Sequence, residues 1–145
     1  MNLVDANVLL YAVNEDDPKH EQSRRWLDDA LAGPGTVGFS WVVLLAFLRL
    51  STKVGLFPHP LPVEAALEQV RAWTAEPSAV VVEATPRHLD VLAGLLRSAG
   101  TGGNLASDAH LAALAVEHGA TVVSFDHDFG RFAGLRWHQP GEPGR

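Results

Sequence analysis

"LVDANVLLYA", residues 3–12, is an apolar run that reads as a short buried strand, closes on a carboxylate at Asp5 and passes at once into helical spacing. A carboxylate at the end of an inside strand costs free energy unless hydrogen-bond donors or a metal ion meet it. "DAN" also opens the helix, and Asp is among the residues preferred as an N-cap. The two roles are compatible, since one carboxylate can cap and ligate at once.

Outward from this stretch, short β-prone runs alternate with helical ones. Strands are expected at 3–5, 36–39, 79–82, 121–125 and 135–137, and helices at 7–13, 19–31, 41–52, 63–74, 87–99 and 105–118. "GPG" at 33–35, "FPHPLP" at 57–62, "GTGGN" at 100–104 and the terminal "PGEPGR" punctuate them. The strands are mostly apolar without polar alternation, as expected when both faces of a sheet are covered. The pattern predicts an α/β fold with a mostly parallel sheet flanked by helices. Ligands of such sheets bind beyond the carboxyl ends of the strands, near the switch point in strand order.

A chain of 145 residues suits one domain, expected over 1–139, with 140–145 as a flexible tail. The absence of cysteine excludes a disulfide framework, a zinc ribbon and a thiol nucleophile. No export signal is visible, and no apolar stretch reaches the roughly 18 to 20 residues that a membrane helix needs. The cytoplasm is the expected compartment. A net charge of −6 argues against a protein that coats nucleic acid, because such binding depends on Lys and Arg. It does not exclude a nuclease, since a metal site concentrates carboxylates.

Carboxylates suited to such a site come from three places: Asp5, Asp108 near the start of "NLASDAHLAALAVEHG", and Asp126 with Asp128 in "VVSFDHDF". Taken singly, each has an ordinary explanation: a helix cap for Asp5, the helix dipole for Asp108, turn chemistry for the pair. Taken together at strand ends they would repel one another unless a divalent cation neutralised them. Oxygen-only ligands point to a hard ion, Mg²⁺ or Mn²⁺.

The segments "LVDANVLLYA", "SWVVLLAFLRLST" and "GNLASDAHLAALAVEHGATVVSFDHDFGRFAGLRW" resemble, in order and over nearly the whole chain, PIN-domain ribonucleases of the VapC type, the toxins of bacterial toxin/antitoxin modules. The resemblance implies a three-layer sandwich around a five-stranded sheet, an acidic pocket holding Mg²⁺ or Mn²⁺, and cleavage of RNA by metal-activated water. It also implies a cognate VapB-type antitoxin and a homodimer. Asp5, Asp108 and Asp126 match the family's acids as metal ligands, with Asp128 as an additional catalytic acid. Asn7 and Ser124 match polar positions that orient them. The chain departs from the family where "LLAFLRL" places Ala46 at the position of a usual glutamate while keeping Arg49. Asp128, Glu15 or Glu21 is a candidate to replace that acid. A PIN-like module that binds RNA or a partner with little or no cleavage is the alternative, and a small-molecule phosphatase a third.

Seven histidines invite a transition-metal site, notably His110, His118 and His127, but Asp108 and His110 are two apart on a helix and face different ways. A haloacid-dehalogenase reading fails because Asn7 stands where a second aspartate is needed. Trp26, Trp41, Trp73 and Trp137 are expected to pack rather than stack on RNA. Of the arginines, Arg131 is best placed to steer phosphate.

Overall fold

The computed structural model describes residues 1–142. Five parallel strands, β1 (Asn2–Val4), β2 (Val37–Phe39), β3 (Ala79–Val81), β4 (Thr121–Val123) and β5 (Trp137–His138), form one sheet in the order β3-β2-β1-β4-β5. Around it lie α1 (Ala6–Val13), α2 (His20–Ala32), α3 (Trp41–Thr52), α4 (Val63–Ala75), α5 (His88–Ala99) and α6 (Leu105–His118). A 3₁₀ turn at His127–Arg131, read from sequence as loop, joins β4 to β5. The chain builds outward from β1 to β3, then returns to the other side of β1, so the order reverses between β1 and β4.

Local chemistry explains the boundaries. Ser40 caps α3 by accepting the Val43 amide. Gly119 ends α6 at φ 64°, in the left-handed region open to glycine, and its amide meets the carbonyls of Ala115 and Val116. The central strands and the apolar stripe of α6 are buried, as is the inner side of α3 through Val43, Leu44 and Phe47. Trp73 of α4 stacks on Phe39 and meets Phe47 edge-on at 4.9 Å between ring centroids.

Two expectations need correction. β3 is an edge strand, and Val80 and Val81 are exposed on it, so not every apolar strand is covered on both faces. Trp41 does not pack: it is 52% exposed at the start of α3, beside the exposed Val42 and Leu45, because the helix buries its opposite side. The segment 140–145 begins with Pro140, buried and bonded through its carbonyl to the Gln22 amide at 2.6 Å, and residues 143–145 lie outside the described residues. Among the described residues no helix is long and apolar enough to cross a membrane.

Phe47→Ala should empty space under Trp73 and lower stability by about 3–5 kcal/mol in urea denaturation. A loss below about 1 kcal/mol would mean that the α3–α4 contact is not a packed core.

Candidate active site

The site lies at the switch point. β1 and β4 pair so that Val4 is opposite Val123, which puts Asp5 beside Ser124 as both strands end. The Asp5 amide still bonds the Val123 carbonyl at 3.0 Å. Its side chain then turns to cap α1, accepting the Ala6 amide through Oδ1 at 2.8 Å.

Ser124, fully buried, is the hub. Its hydroxyl donates to Asp5 Oδ2 at 2.6 Å and accepts from Asn7 Nδ2 at 3.1 Å and from the Asp126 amide at 3.0 Å. One donor and two acceptor positions are thereby filled. Asn7 Nδ2 also reaches Asp5 Oδ2 at 3.3 Å, and Asn7 Oδ1 accepts the Phe125 amide. Behind them, Trp137 Nε1 donates to the Ser124 carbonyl at 3.0 Å. Asp5 thus meets its donors, although burial still pushes its carboxyl above the ordinary value, against the pull of Ser124 and Ala6.

Asp126 accepts the Asp128 amide through Oδ1 at 2.9 Å and so starts the 3₁₀ turn. Asp108 approaches from the first turn of α6. Carboxylate oxygens of Asp108, Asp126 and Asp128 all lie within 4.8 Å of one another. Asp5 is outside that tight group but close enough that its charge acts on Asp108. Burial, then the charges of Asp126 and Asp5, push Asp108 up to about 7. Arg131 stands 3.9 Å from Asp128, at the limit of an ion pair, and offsets the acids weakly.

Asp5 and Asp108 also line a cleft of about 530 Å³ whose walls include Val42, Leu45, Ala46 and Leu111. Arg49 and Ser107 line it too; Arg49, a phosphate-steering candidate from sequence, sits one helical turn from Ala46, whereas Ser107 carried no such signal. Ala46 brings no acid to the cleft. Glu21 does not replace it, being paired with Arg24 at 3.0 Å on the exposed side of α2. The histidines are dispersed: His118 donates to the Glu83 carbonyl, His127 accepts from Gln139, and His110 contacts His88.

A parallel five-stranded sheet with acids gathered at its switch point fits the PIN domain, whose sequence profile matches residues 3–135, and the chain belongs to that family. It is 65% identical over 140 residues to Ribonuclease VapC37 of Mycobacterium tuberculosis, covering 97% of each chain. The fold is also that of VapC20 from the same organism, a sarcin-ricin loop cleaving toxin (TM-score 0.68, 21% identity, 93% of this chain and 96% of that one). It is shared with VapBC2 of Rickettsia felis, solved bound to a promoter DNA fragment (TM-score 0.69, 17% identity, 95% and 97%).

Two outcomes follow for the apo protein. Ser124→Ala strips Asp5 of its shortest bond, and should cost about 1–3 kcal/mol in urea denaturation. Asp108 holds a proton up to about 7 in the fold against 3.8 ordinarily, so its contribution to stability is lost as pH rises between those values. Asp108→Asn should therefore raise the melting temperature by a few degrees at about pH 8 and leave it unchanged near pH 4. An equal shift at both pH values would contradict crowding at Asp108.

Proposed function

We propose that this chain is a metal-dependent endoribonuclease, the toxin of a toxin/antitoxin pair, with Asp108, Asp126, Asp128 and Asp5 as its acidic centre. The observation that carries the reading is the convergence of Asp108, Asp126 and Asp128 within 4.8 Å beside a cleft that Asp5 lines. The ribonuclease named among its relatives supports RNA as the substrate.

The donor set fits a hard divalent cation, Mg²⁺ or Mn²⁺: it is all oxygen, three carboxylates converge within 4.8 Å, and the one cation paired with them among the described residues, Arg131, stands 3.9 Å from Asp128. Asp108, Asp126 and Asp128 would hold such an ion, with Asp5 beside them. Bound there, it would polarise the scissile phosphate and acidify a water. Asn7 and Ser124 fix Asp5, and the amide of Asp128 fixes Asp126, so the acids are pre-positioned. Arg49, lining the cleft, is placed to bind phosphate, and Arg131 to draw RNA in from the rim. Asp128 supplies the acid that Ala46 withholds.

A VapB-type antitoxin is the proposed partner, a second copy of the chain the proposed companion, and the cytoplasm the proposed compartment.

The test is cleavage of total RNA by the purified protein with Mg²⁺, with Mn²⁺ and with excess EDTA. Discrete fragments should require metal, and Asp126→Asn should lower the rate about 100-fold or more. Metal-independent cleavage, or full activity in the variant, would overturn the acidic centre. No cleavage at all, with Mn²⁺ still bound, would favour the binding module.

A further inference from the structure

Away from the acids, α6 carries a second polar group. Glu117, its side chain fully buried, accepts the Thr85 amide at 2.9 Å and the Thr85 hydroxyl at 2.6 Å through Oε1. Its Oε2 meets His88 Nδ1 at 2.5 Å. A carboxylate only accepts, so His88 donates there, and its Nε2 faces His110 Nδ1 at 2.8 Å. The two rings meet edge to face at 4.7 Å. His110 is therefore held through one nitrogen by a chain anchored on Glu117 and Thr85, while its Nε2 has no protein partner among the described residues. Rings fixed in this way keep their orientation.

His110 lines a second cavity, of about 260 Å³, together with Trp41, Val42, Glu83, Ala84 and Leu114. It opens at the carboxyl ends of β2 and β3, and Val42 lines both it and the acidic cleft. The half-exposed Trp41 supplies an aromatic face, and His110 with Glu83 supplies polar groups for a hydrogen-bonding edge. No cation lines this cavity, whereas Arg49 lines the cleft next to it, so phosphate belongs in the cleft and an uncharged ring system in the cavity.

We propose that the Trp41–His110 cavity is a nucleobase subsite of the RNA substrate, in which one base next to the cleaved bond stacks on Trp41 and is read by His110 Nε2, with His88 and Glu117 as positioning residues. The subsite presupposes the ribonuclease reading above. Aromatic side chains take bases of any sequence by stacking, and a fixed polar edge adds discrimination.

The test uses RNA oligonucleotides randomised around a mapped cleavage site, cut by wild type, His110→Phe and Trp41→Ala. Trp41 is exposed, so its replacement leaves the core intact even where His110→Phe disturbs it. Both variants should keep kcat within about twofold, raise KM about tenfold and flatten the base preference at one position beside the cut. Unchanged KM and preference in Trp41→Ala would overturn the proposal. So would a change in oligomeric state of Trp41→Ala by light scattering, which would make this face a subunit interface. If wild type cuts no RNA, the ribonuclease reading fails separately. The subsite is then decided by anisotropy of a fluorescent mixed-sequence hexaribonucleotide, whose affinity Trp41→Ala must weaken for the proposal to stand.

Discussion

A carboxylate at the mouth of a parallel sheet has to be met by donors from the neighbouring strand end, and here Ser124 meets Asp5 across the seam between β1 and β4 at 2.6 Å. The same hydroxyl receives Asn7 from α1 and the amide of Asp126, so strand pairing, helix capping and the entry to the 3₁₀ turn converge on one oxygen. Its burial makes the arrangement stiff, because each bond it makes is worth more out of water and none can be surrendered cheaply.

That rigidity lets the fold tolerate crowded acids. Asp5 is compensated by fixed dipoles from Ser124 and Ala6, whereas Asp108 is approached mainly by other carboxylates. Asp5 and Asp126 are each fixed by a backbone amide, and Asp5 also by the Ser124 hydroxyl, whereas Asp108 faces other carboxylates. A donor set of this kind gains more from a cation than a pre-satisfied one would. The departure at Ala46 leaves the α3 wall of the cleft without an acid and with Arg49 as its charged group, so acidity is concentrated on the α6 and β4 side.

Much of this was legible in the residues. The expected span 105–118 coincides with α6, because an apolar stripe and a terminal glycine mark it unambiguously. The join of strand to helix at Asp5 was readable because a cap and a strand end share that residue. The 3₁₀ turn was not, since five residues of mixed polarity carry no periodicity and only the Asp126 cap defines it. The exposed side of α3 was hidden for the opposite reason: an all-apolar helix does not reveal which of its sides faces water. The Glu117–His88–His110 chain links residues 22 and 29 positions apart, and the one available signal was the seven-residue spacing of His110 and Glu117, which puts them on one face of α6.

The strand order has a consequence for biosynthesis. β1 finds its first neighbour in β2, completed at residue 39, whereas the neighbour of its other edge, β4, is the fourth strand of five in the sequence. Asp5 consequently waits for a partner at position 124 of a chain of 145 residues. Asp126 and Asp128 follow β4 directly, so a chain cut short before β4 lacks two of the acids that gather at the site. Meanwhile an apolar strand edge lies open for most of synthesis, a stage at which such edges invite association.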